Sequence, residues 1–264
     1  MSSNMKCQAK NPATCRFHGQ HFTSTINFEN GTFNSSSLNP SELNKKSKVF
    51  ELILTNKEKA AIVEYLEQGY TNFNKELYNE QDTYYSSQIK LVDSALAKYE
   101  QLNKGEKKIV YRATKMYDAS FGSDEDLNEY LKTHYQPGDT ITMKGFTSTT
   151  TNPEALFDFL TETYKDVAKR YKQTQEEYSS IWEGKDSGLS NIVYEIETPS
   201  GAPVSSFGHT YGDKEQEYLL PRNKTFKIVE VIPQTKLNNP NPDARILAHR
   251  HATIIRVVEV ETNR

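Results

Sequence analysis

The chain has 264 residues, with 32 Lys and Arg against 35 Asp and Glu for a formal charge of −3, and two cysteines. That length suits one large domain or two small ones, either able to bury an adequate core, and the charge balance provides no global field for nucleic acid or an anionic membrane. No apolar run approaches the roughly 20 residues that span a bilayer, and the first residues are polar rather than a charged-then-apolar leader, so the expectation is a soluble protein of a reducing cytoplasm.

Residues 1–47 are rich in Asn, Ser and Thr, with the run Asn34-Ser35-Ser36-Ser37 and few aliphatic side chains, and read as a mostly irregular arm. Within it Cys7, Cys15, His18 and His21 have atom types that suit tetrahedral zinc, but their spacing matches no common finger. A zinc site and a loop that happens to carry polarisable residues both stand as readings. A domain is expected over 48–264.

From Thr55, Ala60, Ala61, Ile62, Tyr65 and Leu66 recur at helical spacing, with Thr55 or Asn56 as cap. A second helical pattern covers Tyr78 to Leu102, with Ile89, Leu91, Val92, Leu96 and Tyr99 as its buried stripe, and both helices read as scaffold. Beyond Gly105 the short apolar run Lys108-Ile109-Val110-Tyr111-Arg112 reads as a strand. A helix over Asp124 to His134 and the turn Pro137-Gly138-Asp139 lead to Thr140-Ile141-Thr142-Met143 and then Gly145-Phe146-Thr147-Ser148-Thr149-Thr150. Pro153 to Tyr178 is helical in pattern, and Gly184 to Gly188 breaks it. Asn191 to Glu197, Thr225 to Ile232 and Ile254 to Val260 are strands joined by hairpin-like turns. Helices first and strands later predict an α+β fold with a largely antiparallel sheet.

Glu215-Gln216-Glu217 stands at the head of what reads as a β-hairpin, followed by Tyr218-Leu219-Leu220-Pro221-Arg222 and an apolar alternation. Side chains at i and i+2 of a strand leave the same face, roughly 6–7 Å apart at Cα, so both acids can address one small space. An isolated E-x-E is more often a pair of solvated acids. Here it has partners in sequence: Arg112 ends the first strand, and Ser148-Thr149-Thr150 belongs to the next.

The order of these elements, their strand contexts and the tail Leu219-Leu220-Pro221-Arg222 resemble the arginine-serine-glutamate class of mono-ADP-ribosyltransferases, over roughly Val49 to Thr262. The resemblance implies a helical N-terminal part followed by a mainly antiparallel two-sheet β core around an NAD cleft, with no metal required. It also implies the roles. Glu217 would hydrogen-bond the ribose 2′-hydroxyl and stabilise the cation that forms when nicotinamide leaves, Ser148 would orient Glu217, and Arg112 would engage the NAD phosphates. Thr149 and Phe146 would shape the floor under the nicotinamide, with Ser205, Ser206 and Phe207 on a nearby loop. Glu215 at the first acidic position goes with transfer to arginine, because a guanidinium is unreactive until a carboxylate aims it and takes its proton, and Tyr211 could stack on it. The chain departs from the family pattern at Ala113-Thr114, where Gly often follows the Arg, and at Thr150, where a second Ser is usual.

The expected partners are therefore NAD and an arginine-bearing target protein. Competing readings are an NAD glycohydrolase, a two-carboxylate glycosidase, and an interaction module of the same shape with a dead site. The setting, whether toxin delivered into a host cell, phage-encoded modifier or endogenous regulator, stays open at this point. The charge balance gives nucleic acid no support as an acceptor.

Overall fold

A computed structural model describes residues 27–28, 31–33, 39–79, 84–103, 105–115, 124–160, 191–208, 216–238 and 249–260. The Cys7, Cys15, His18 and His21 cluster, and most of the segment read as a helix from Pro153 to Tyr178, lie outside them. Within that last segment, Pro153–Asp158 forms a short 3₁₀ turn.

Five α-helices are described. The first, α1 (Pro40–Ile53), begins inside the stretch read as an arm. Its start has a local cause: Asn39 caps it by accepting from the Glu42 amide at 2.8 Å, and Pro40 sits where its missing N–H costs nothing. Leu43, Ser47 and Phe50 are its buried stripe. α2 (Asn56–Glu64) opens with a full capping box, in which Thr55 and Glu58 satisfy each other's amides. A π-helical turn, Tyr65–Gly69, then joins α2 to α3 (Tyr70–Asn79) without a break in the chain direction. Gly69 is what allows it, since a Cβ there would meet the Glu64 carbonyl oxygen at 2.8 Å. α4 (Ser86–Leu102) packs on α2, and α5 (Asp124–His134) follows the first long strand.

Ten strands are described: β1 (Asn27–Phe28), β2 (Gly31–Thr32), β3 (Lys108–Lys115), β4 (Thr140–Met143), β5 (Thr147–Thr150), β6 (Asn191–Thr198), β7 (Ala202–Pro203), β8 (Glu217–Leu220), β9 (Lys224–Asn238) and β10 (His249–Glu259). Their order is β2-β1-β9-β10-β6-β3-β5-β8-β7, with β4 on β9, so the expected two-sheet core is linked into one hydrogen-bonded path. Every described pairing is antiparallel except β6 with β10. The largely antiparallel α+β architecture is as expected.

One local expectation fails. The stretch from Glu217 onward is no hairpin, because β8 pairs with β5 and β7 whereas β9 pairs with β1, β4 and β10. The intervening turn passes through Asn223 in the left-handed region, at φ 59°, and sends the chain to the other half of the sheet. Arg222 locks that departure. Its guanidinium forks onto Asp93 of α4, with Nε at 2.9 Å and Nη2 at 2.8 Å from Oδ2.

Apolar packing explains where the helices sit. Phe50, Ile62, Phe73, Val92 and Leu96 from α1 to α4 close over Leu219 of β8 and Ala202 of β7, while Leu131 of α5 packs with Val110, Ile196 and Phe226. Four helices thus cover the end of the sheet that holds β8.

A buried carboxylate ties this helical layer together. Glu58 is almost fully buried, and it accepts from Thr55, from Ser94 Oγ at 2.8 Å and from Lys98 Nζ at 2.7 Å across the α2–α4 contact. Burial opposes its charge, yet the Lys98 ammonium and the Thr55 and Ser94 hydrogen bonds outweigh that and bring the carboxyl down to about 2. A depressed folded-state value means stability that is fully present above the unfolded carboxylate range and is lost as pH falls through the folded value. Glu58→Gln is therefore expected to destabilise the protein at neutral pH by about 2–3 kcal/mol. In urea unfolding, its difference from wild type should shrink as pH drops from about 4.5 to about 2. A difference constant across that window would refute the linkage.

Candidate active site

Three neighbouring strands bring the sequence-predicted residues together. β3 and β5 meet at Tyr111 and Thr150, and β5 and β8 pair Thr150 with Glu217, Thr149 with Tyr218 and Ser148 with Leu219. Arg112 therefore lies one residue along from the row that ends in Glu217. Its Nη1 donates to the Ser148 carbonyl oxygen at 2.7 Å, which pins the guanidinium to β5. Thr149 is buried and donates its hydroxyl to the Tyr218 carbonyl at 2.5 Å, an extra tie between β5 and β8.

Glu217 is only 7% exposed although it is a carboxylate. Its approach is unusual, since Gln216 adopts φ 46°, a left-handed conformation that a non-glycine residue takes at some cost. Thr151 holds that backbone in place: its amide donates to the Gln216 carbonyl oxygen at 3.2 Å, and its hydroxyl reaches the same oxygen at 3.4 Å.

Arg112, Ser148, Thr149 and Glu217 all line one cavity of about 490 Å³. Clefts that take small-molecule ligands commonly run to roughly 300–1,000 Å³, so the space is of the right order for a nucleotide. Two other predicted site residues, Glu215 and Tyr211, lie outside the described residues, as does His209. Phe146 is described and does not line the cavity. It is a core residue behind it, edge-on to Tyr65 with ring centroids 5.6 Å apart, and its carbonyl oxygen accepts from the Tyr65 hydroxyl and the Asn74 amide. Ser206 meets Ser47 of α1 and Phe207 packs on Phe50 of the same helix, while Ser205 is buried and, like them, does not line the cavity.

The site also holds residues that the sequence did not single out for it, Tyr65 among them as part of a scaffold helix. Tyr65, Tyr70 and Asn74, from the π turn and α3, line the cavity, and so does Phe159 beyond the 3₁₀ turn. Burial pushes the Tyr65 phenol up, nearby Ser148, Arg112 and Asn74 pull it down and Glu217 raises it, and Asn74 donates its side-chain amide to the hydroxyl at 3.4 Å. A glycine inside a helical run was the available signal, because Gly69 marks the place where the ladder widens and turns Tyr65 toward β5.

The ADP-ribosyltransferase exoenzyme family model matches residues 39–249, a span that starts at the cap of α1 and ends in β10. The chain belongs to this family. Among solved structures it is similar in fold to Plx2a, an ADP-ribosyltransferase toxin from Paenibacillus larvae, with 15% identity, a TM-score of 0.56 and coverage of 84% of this chain and 96% of that one. It is similar also to the enzymatic component C2-I of the C2 toxin from Clostridium botulinum, with 16% identity, a TM-score of 0.55 and coverage of 86% and 48%. A third is BECa, an ADP-ribosylating toxin of a binary enterotoxin of C. perfringens solved with NADH, with 20% identity, a TM-score of 0.54 and coverage of 84% and 48%. The chain thus spans about half the length of C2-I and BECa and nearly all of Plx2a. No curated protein matches it. Among the described residues no helix is long and apolar enough to cross a membrane, and no group of three or more His, Cys, Asp or Glu could hold a metal ion.

Behind β8, Gly201 adopts φ 95°, and a Cβ there would meet the Leu219 carbonyl oxygen at 2.6 Å and the Tyr218 ring at 2.8 Å. Gly201→Ala combines left-handed strain with a backbone clash and should cost about 2–4 kcal/mol. Thermal unfolding checks this, and a wild-type melting temperature would show that β7 can move away from β8 freely.

Proposed function

We propose that the protein transfers ADP-ribose from NAD to arginine side chains of a target protein and releases nicotinamide. The observation that carries this reading is the convergence of Arg112, Ser148 and Glu217 from three strands on one cavity. Family membership supports the reaction type, and the NADH bound to BECa supports a nicotinamide dinucleotide as co-substrate. The toxin relatives favour an enzyme that acts on a host protein after delivery into its cell.

In this reading Arg112 grips the NAD phosphates. One of its N–H groups is spent on Ser148, which fixes the plane of the guanidinium and leaves its remaining donors for a bidentate phosphate contact. The bond between the ribose C1′ and the nicotinamide nitrogen breaks, and its electron pair neutralises the pyridinium. Positive charge then develops on the ribose ring. Glu217, oriented by Ser148, hydrogen-bonds the 2′-hydroxyl and stabilises that charge from a site with little water, where a fixed carboxylate acts most strongly. A guanidinium nitrogen of the acceptor attacks C1′, and Glu215 binds the acceptor and takes the proton that is lost. Thr149 contributes to the wall and Tyr211 to the acceptor face.

Incubation with labelled NAD and an arginine-rich acceptor protein tests the reading. Glu217→Gln should lower both nicotinamide release and label transfer by about a hundred- to a thousandfold. Glu215→Gln should keep NAD hydrolysis and lose transfer to arginine, with the wild-type label removable by hydroxylamine. Equal loss of the two activities in Glu215→Gln would overturn the division of roles, free ADP-ribose alone would favour a hydrolase, and inert NAD an interaction module.

A further inference from the structure

Behind the strand that carries Glu217 lies a polar web that the transfer chemistry leaves unused. Lys108, four residues ahead of Arg112 on β3, is only 5% exposed, and its Nζ donates to the Tyr218 hydroxyl at 2.7 Å. Tyr218, the residue after Glu217, donates that hydroxyl onward to the Gly201 carbonyl oxygen at 2.9 Å. Lys108 Nζ also lies 3.5 Å from the Pro199 carbonyl oxygen. One ammonium thus joins β3, β8 and the turn into β7.

The neighbouring acids are engaged elsewhere. Glu106, just before β3, pairs with Lys46 of α1 at 2.7 Å, and Glu259 of β10 pairs with Lys224 at 3.1 Å. Glu100 of α4 accepts from the Gly201 amide at 3.1 Å. Tyr99 of α4 also faces Tyr218. Among the described residues no carboxylate pairs with Lys108, which is held by a hydroxyl and a carbonyl alone. For stability this is a poor arrangement, because an apolar side chain of similar length would fill the space without a desolvated charge, and Tyr218 would keep its bond to Gly201. Burial accordingly lowers the Lys108 ammonium to about 8, with Glu106, Glu100 and Glu259 pulling upward and Lys46 downward.

The backbone gives the charge a purpose. β3 and β5 share a single register pair, Tyr111 with Thr150, so the ladder that separates Arg112 from Glu217 is thin. We propose that Lys108 is a positioning residue for ADP-ribosyl transfer: through the Tyr218 hydroxyl it sets β8 against β3, and so sets Glu217 against Arg112. This rests on the transfer reading above. Displacements of about 1 Å at a reacting centre can cost a large factor in rate, which is what the bridge guards against.

Stability and turnover should respond to pH with opposite sign. Between about 8 and 10.5 the unfolded chain still holds a proton that folded Lys108 has released, so its contribution to stability rises with pH across that window. Over the same range the charge-assisted bond to Tyr218 weakens to an ordinary one, so turnover falls.

Wild type, Lys108→Met, Tyr218→Phe, the double variant and Glu217→Gln are compared by nicotinamide release from NAD, from neutral pH to about pH 10, and by thermal unfolding. Lys108→Met is expected to melt at or above the wild-type temperature at neutral pH, yet to lose about tenfold or more in kcat with little change in KM for NAD. It should also lack the wild-type decline near pH 8. Tyr218→Phe, which removes one oxygen and keeps the ring, should reproduce the loss, and the double variant should be no worse than either. Wild-type kcat and pH profile in Lys108→Met or Tyr218→Phe, while Glu217→Gln is inactive, would overturn the positioning role alone. Equal nicotinamide release by wild type and Glu217→Gln would overturn the transfer reading and this inference together.

Discussion

The pairing register of β5 with β8 is the constraint on which the site depends. Glu217 stands opposite Thr150, and Thr150 stands opposite Tyr111, so the acid is delivered to the row beside Arg112. Side chains alternate along a strand, and a slip of one residue would turn Glu217 away from the cavity and bring Tyr218 or Gln216 in its place. Local bonds oppose such a slip. Thr149 ties its hydroxyl to the Tyr218 carbonyl, Thr151 clamps the left-handed Gln216, and Gly201 lets β7 approach β8 more closely than any side chain would permit.

Around that register the protein builds with fixed charges as much as with apolar packing. Arg222 on Asp93 anchors the exit of β8 to α4, and Glu58 anchors α4 to α2, which continues into the π turn that presents Tyr65. The path from helix cap to cavity is contiguous. Only Glu58 of these groups is fully buried, and part-exposed pairs add little net stability, but a pair with one buried partner penalises every arrangement in which the other is missing. Such specificity fixes where α4 and β8 sit even where it adds little to net stability. The same economy of identity appears in the relatives, where 15–20% identity accompanies a shared fold.

Much of the candidate site was legible from residues that resemble a known family's motif, although Arg112, read as the end of its strand, lies within β3, which runs on to Lys115. Arg112, Ser148 and Glu217 are each weak in isolation; the family that they resemble implied a shared site, and all three line one cavity. What failed was pairing and facing. The alternation after Thr225 announces a strand but carries no information about its neighbour, and Asn223 sends β9 to β4 and β10 rather than back onto β8. The family resemblance put Phe146 on the floor of the cleft, whereas it sits in the core cluster with Tyr65 and Phe73 and does not line the cavity. Tyr65 was read as helical scaffold, and Asn74 was not singled out, because helical periodicity does not register a π turn and a tyrosine at a core spacing looks the same whether its hydroxyl meets solvent or a cavity.

By itself the sequence determined the class of fold, the strands that bear the charged groups and the family that those groups resemble, because hydrophobic period and residue chemistry are local properties. Only the tertiary structure decided which strands are neighbours, which face of each meets the cavity, and that Lys108 lies buried against Tyr218. Those are relations between residues far apart in the chain, such as the 110 positions that separate Lys108 from Tyr218. They are set by the packing of helices on the sheet and by the need to satisfy every buried polar group, neither of which a linear pattern can express.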